Sequence, residues 1–185
     1  MIPLHPIVKE IWAWFRSLAA AFVLTLAIGM FVFQPTKVLG HSMDPTLHNE
    51  QRIYVSKLSH TFRREPDYGD IVIIDSRVER PRTLKDDVLE HPLLRLVLGN
   101  DDPNMYVKRV IGKPGDVIEL KDSKVYRNGT ALEEPYINGT MNIREERSWT
   151  VPVGHVFVMG DNRNNSRDSR DIGFIPFDHV LGIKF

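Results

Sequence analysis

Apolar residues are distributed unevenly along this chain. From Ser17 to Phe33 the sequence reads SLAAAFVLTLAIGMFVF without a charge, and Gln34-Pro35 ends the run. At ~1.5 Å per residue this predicts a helix of about 25 Å, near the lower limit for crossing a bilayer core. Ile11, Trp12, Trp14 and Phe15 extend the apolar character upstream. Arg16 interrupts it, on a stem long enough to carry its charge to an interface, where the two tryptophans also belong. A cleaved leader needs small residues at its exit, and Met30-Phe31-Val32-Phe33-Gln34 is bulky there. A buried core helix is the other alternative. A single transmembrane anchor fits the run best. Lys9 and Arg16 before it and Lys37 after it favour a cytoplasmic N-terminus and a body on the extracytoplasmic side.

Beyond residue 36 the period changes to that of strands. Short β-branched runs at 52–56, 69–75, 105–111, 117–120, 124–126, 156–159 and 180–185 are separated by turn residues such as Lys113-Pro114-Gly115-Asp116 and Pro152-Val153-Gly154. Asn128-Gly129 after 124–126 predicts a hairpin. The charged, proline-interrupted stretch 78–104 reads as a surface insertion, with a short amphipathic helix over 83–98 broken at Pro92. The predicted fold is mostly β: an antiparallel, barrel-like sheet domain behind an N-terminal transmembrane helix. Residues 1–36 are expected to form the cytoplasmic stub and anchor and 37–185 the extracytoplasmic β domain, with a small subdomain over 117–155.

Composition narrows the chemistry. Lysine plus arginine equals aspartate plus glutamate, 24 each, so no charge excess points to nucleic acid. There is no cysteine, which removes disulfides, zinc-thiolate sites and thiol nucleophiles. The seven histidines show no HExxH-type spacing, so no metal site is expected. Asn-Gly-Thr at Asn128 and Asn138 fits the glycosylation pattern but reads as ordinary turns.

Three islands can carry chemistry. Gly40-His-Ser-Met-Asp-Pro-Thr-Leu47 places Ser42 in an irregular loop, where a serine can present its hydroxyl and its own N–H together, as attack on a carbonyl and oxyanion capture require. Most loop serines are merely turn or cap residues. Tyr106-Val-Lys-Arg-Val-Ile-Gly-Lys-Pro-Gly-Asp116 sets Lys108 in a strand, facing the same way as Tyr106 and Val110. A strand lysine is usually on the solvent face; a buried one loses its charge readily and can replace histidine as general base. Gly160-Asp-Asn-Arg-Asn-Asn-Ser-Arg-Asp-Ser-Arg170 has the make-up of a solvated loop, but its alternating charges predict internal ion pairs such as Asp168 with Arg170.

Together, in this order behind an apolar run, with Gly69-Asp-Ile-Val72 between them, the islands resemble the bacterial type I signal peptidase family (leader peptidase, peptidase family S26). The resemblance covers nearly the whole chain apart from 78–104 and 117–155, where Glu134-Pro135-Tyr136 is similar. It implies a membrane-bound serine endopeptidase that cleaves signal peptides from preproteins after small residues at the first and third positions before the cut. Ser42 would be the nucleophile and Lys108 the general base. The resemblance makes Ser166 the hydroxyl that orients the lysine, Asp168 and Arg170 a supporting ion pair, and Asp161 a further member of that loop. The oxyanion hole would use the Ser42 N–H. Gly40, standing where some members have a serine hydroxyl donor, is assigned to the hole beside Ser42; otherwise water or another backbone N–H would be the second donor. Val38, Leu39, Met43, Leu47, Tyr106 and Val107 correspond to the apolar substrate wall. Signal peptides and the lipid bilayer are the implied partners; no cofactor, metal or nucleic acid is.

Two other readings compete with this one. A self-cleaving repressor-type Ser-Lys protease needs a DNA-binding domain, and the N-terminal run here is apolar. A non-enzymatic, membrane-tethered peptide-binding β domain would not need every candidate catalytic side chain present.

Overall fold

The computed structural model describes residues 4–31, 33–58, 65–83, 86, 104–143 and 145–185. Helix α1 (Leu4–Phe31) begins well before the uncharged run and includes Lys9, Glu10 and Arg16. Ile11, Trp14 and Leu18 on it are each more than 60% exposed. Among the described residues no helix is long and apolar enough to cross a membrane. The insertion's central part, including the helix expected over 83–98, lies almost entirely outside the described residues.

Among the described residues eleven strands follow: β1 (Phe33–Lys37), β2 (Arg52–Ser56), β3 (Ile71–Asp75), β4 (Met105–Gly112), β5 (Val117–Lys121), β6 (Lys124–Arg127), β7 (Thr130–Ala131), β8 (Arg147–Thr150), β9 (His155–Met159), β10 (Ile175–Pro176) and β11 (Val180–Lys184). A short helix, α2 (Ser169–Ile172), lies between β9 and β10. Among the described residues the pairings are antiparallel throughout, in a seven-stranded sheet of order β1-β2-β11-β3-β4-β9-β10 and a four-stranded sheet of order β7-β6-β5-β8. β1 carries Pro35 at the sheet's outer edge, where a missing N–H costs no ladder bond. The fold class expected from the strand pattern is therefore observed, with β1 taking residues that the apolar run had suggested belonged to the anchor.

Side-chain alternation distributes the core. Val72, Ile74, Val110, Val156 and Val158 pack on one face of the large sheet. On the other, Ile53, Val55, Ile73 and Leu181 meet Val38, Met43 and Leu47 from the loop after β1. A third cluster, with Phe157 and Met159 of β9 against Ile118, Leu120 and Val125, fixes the small sheet to the large one. Phe157 and Met159 point opposite to Val156 and Val158, as a period of two requires.

Candidate active site

The loop after β1 is held from beneath. Val38, Met43 and Leu47 are each 2% exposed or less. The loop neck is closed by Val38 N–H to the Gln51 carbonyl and Glu50 N–H to the Val38 carbonyl, both 2.8 Å. Gly40 turns at φ +90°, a conformation suited to glycine. The three apolar plugs leave Ser42 on the upper side of the loop. No partner for its N–H is found among the described residues, so that donor is free to meet an incoming oxygen. Gly40 does not share this property: its N–H donates to Asn49 Oδ1 at 2.8 Å, which corrects the expectation of a second donor there. The six residues expected to form the substrate wall differ in burial. Val38, Met43 and Leu47 are core residues that shape the loop from below, whereas Leu39 is exposed and Tyr106 and Val107 are half-buried. A loop of this length needs its own anchors, and these apolar side chains serve that purpose.

Lys108 lies in β4 opposite Val72 and is only 2% exposed. Its Nζ is 2.8 Å from Ser42 Oγ and 2.9 Å from the Val107 carbonyl oxygen. Burial lowers its pKa from 10.5 to about 8; Arg170 pushes the same way, while Asp168 and Asp161 partly offset it. The Tyr106 ring lies 5.2 Å from the amine. The folded protein thus favours the uncharged amine. The unfolded chain holds more protons between about pH 8 and 10.5, so stability rises with pH through that window and the full cost is present below it. Lys108→Met removes the cost. At about pH 7 the variant is expected to be more stable than the wild type, by up to about 3 kcal/mol before lost hydrogen bonds are subtracted. That advantage should shrink by about 2 kcal/mol toward about pH 10, which urea melts at both values would check.

The loop after β9 closes the other side. Asp168, with no exposed surface, receives Arg170 through Nε and Nη2, both at 2.8 Å, and accepts the Gly160 N–H at 2.9 Å. It also caps α2 in a reciprocal box with Asp171. Asp161 is paired in the same two-point way with Arg109, at 2.8 and 2.6 Å. Ser166 behaves differently from what the resemblance implied. Its Oγ is buried without a hydrogen-bond partner, and the amine of Lys108 is held by Ser42 and Val107 instead.

Two residues that sequence reasoning did not single out complete the arrangement. Asn162 clamps the serine loop: its N–H donates to the Ser42 carbonyl at 3.0 Å and its Nδ2 to the His41 carbonyl, also 3.0 Å. Gly160 lies where a Cβ would collide with the Ser42 carbonyl oxygen and with the Ser166 side chain. The available signal for both was the motif itself, a glycine ending a strand and an amide beside it. Among the described residues there is no group of three or more His, Asp or Glu suited to a metal ion.

The pairing of a buried, weakly basic amine with a loop serine is the equipment of a serine hydrolase that works without histidine. In comparison with known proteins, residues 11–185 match the family described as signal peptidase, peptidase S26. The chain belongs to that family. It is a serine endopeptidase of the signal peptidase I type. Signal peptidase I of Bacillus amyloliquefaciens is 36% identical over 92% of this chain and 81% of that protein. Signal peptidase IB of Staphylococcus aureus (strain COL) is 33% identical over 94% and 87%. A solved signal peptidase I from Enterococcus faecalis V583 is 28% identical, covering 65% of this chain and 97% of that one with a TM-score of 0.45.

Proposed function

We propose that this peptidase removes signal peptides from preproteins through a Ser42–Lys108 dyad while tethered to a membrane by α1. The observation that carries the dyad is the 2.8 Å contact between Nζ and Oγ inside a site where the amine is almost fully buried. In this reading neutral Lys108 takes the Ser42 proton as Oγ bonds to the scissile carbonyl carbon. The resulting oxyanion meets the Ser42 N–H, with water or another N–H as second donor. Collapse breaks the C–N bond, the lysine ammonium gives its proton to the leaving amine, and the mature chain departs. Lys108 then deprotonates a water that attacks the acyl-enzyme, releasing the signal peptide and restoring the serine.

Ser166, Asp168, Arg170 and Asp161 serve this reading as support: they pack and charge-balance the wall beside the amine. Ser166, free of other partners, is available to the amine once Ser42 is acylated. An extended substrate lies beside the site in strand-like fashion, with Leu39, Tyr106 and Val107 bounding shallow apolar pockets that favour small side chains. Residues 37–185 form the catalytic body and 117–155 the appended subdomain. The exposed apolar side chains of α1 and the uncharged 17–33 run support anchoring, with the N-terminus cytoplasmic and the body extracytoplasmic.

The test is acylation. An activated peptide ester with alanine at its acyl end should label Ser42, located by mass mapping. The rate should rise about tenfold per pH unit up to about pH 8 and then level off, as the neutral amine accumulates. Labelling elsewhere, or a rate flat across that range, would overturn the dyad.

A further inference from the structure

The segment after β7 lies far in sequence from both partners of the dyad, yet it is fastened to the loop between them. Glu134 forms a two-point ion pair with Arg163, Nη1 to Oε2 at 2.7 Å and Nη2 to Oε1 at 2.6 Å. The side chains are 5% and 1% exposed, so this pair lies in the interior. Arg163 uses its remaining Nε–H to hold the Gly160 carbonyl at 3.1 Å. Tyr136 donates its hydroxyl to Glu134 Oε1 at 3.0 Å and places its ring 4.0 Å from the Arg109 guanidinium, which is itself paired with Asp161. The Asn138 N–H reaches the Asp161 carbonyl at 3.3 Å.

We propose that Glu134 is a positioning residue for catalysis: through Arg163 it fixes the backbone at Gly160, and so the wall against which the Ser42 loop rests beside the Lys108 amine. Gly160 has no side chain to spare for this purpose, because any Cβ would strike both the Ser42 carbonyl and Ser166. Its place is set through its peptide groups instead. Asp168 receives its N–H and Arg163 holds its carbonyl. The first clamp lies within the loop. The second depends on a carboxylate from the subdomain, since a buried guanidinium without its partner would move toward water and release the carbonyl. The geometry is specific to arginine, whose fork occupies both carboxylate oxygens and leaves Nε for a third acceptor.

This inference rests on the dyad reading, so the experiment separates the two. Ser42 acylation by the alanine ester is followed against pH in the full chain, for wild type, Glu134→Gln and Arg163→Lys, with melting temperatures alongside. Glu134→Gln keeps the shape and removes the charge. Arg163→Lys keeps a cation for Glu134 and gives up the bond to Gly160. Both variants should acylate roughly 10- to 100-fold more slowly, the size of a misplaced catalytic group. Ester KM should stay within about twofold, and the midpoint of the pH profile should move upward as water reaches the amine. A variant that melts earlier but keeps the wild-type acylation rate and midpoint would show a purely structural pair and overturn the proposal. Should Glu134→Gln fail to fold, Arg163→Lys decides alone by the same two readouts. A wild type not labelled at Ser42 would instead take down the dyad, and this proposal with it.

Discussion

Lys108→Met is expected to fold and to be inactive. Methionine nearly matches the volume of the lysine stem and suits the apolar strand environment. It has no lone pair of sufficient basicity to accept the serine proton. Cleavage of a preprotein should fall by roughly 10⁴-fold or more, as when a dyad or triad member is removed. Lys108→Arg should be equally inactive for a different reason, since a guanidinium stays charged at every usable pH. Ser42→Ala should match both, because members of a unit do not contribute additively. Circular dichroism and melting temperature separate lost chemistry from lost structure. Near-normal turnover in either the serine or the lysine variant would mean that the 2.8 Å contact is incidental.

Gly160→Ala is the second change with a large expected effect. The added methyl would lie 2.6 Å from Ser166 Cβ and closer still to Ser166 Oγ and the Ser42 carbonyl oxygen. The last of these is backbone, already fixed by the Asn162 N–H, and cannot swing aside. Relief must come from separating the two loops, which draws Ser42 away from the amine. A displacement of about 1 Å costs on the order of 10²-fold in rate, so kcat should drop at least that far while KM changes little. Gly112→Ala is the control. Its Cβ would meet Ile118 Cδ1 and Cγ1 at 2.9 Å, in the core of the small sheet. It should lower the melting temperature through overpacking and leave kcat per folded molecule nearly unchanged. Equal kcat losses in the two variants would show that the effect at Gly160 is general destabilisation.

The strands that could be read from sequence were those whose β-branched runs coincide with buried positions. β3 and β9 are nearly continuous apolar runs lying inside the large sheet, and β4 is apolar on both sides of Lys108-Arg109. β8 was not legible because Arg147-Ser-Trp-Thr150 is exposed apart from Trp149 and, among the described residues, pairs with β5 alone at the sheet edge, so its local sequence carries little strand signal. β1 was masked by the apolar run that precedes it, and α2 is a four-residue helix within a polar tract, visible only once Asp168 and Asp171 are seen capping each other. At the site, residue types announced the serine, the lysine and the ion-paired loop. Pairings across the chain did not announce themselves: nothing local in Glu134 names Arg163, and nothing in Asn162 names His41. The same limit explains the substrate wall. Apolar residues at 38, 43 and 47 have the same pattern whether they face a ligand or the core, and their packing against Ile53, Ile73 and Leu181 is visible only in the fold.

The place of β11 in the large sheet has a consequence for how the two halves of the site are joined. β2, which continues from the serine loop, and β3, which pairs with the lysine strand, do not touch as neighbours in the sheet; β11 lies between them. This late strand therefore acts as a keystone, joining by backbone hydrogen bonds two parts of the sheet that otherwise meet through apolar side chains and the Asn162 clamp. The register in which Ser42 faces Lys108 is thus locked from below by residues 180–184, far along the chain from either reactive group.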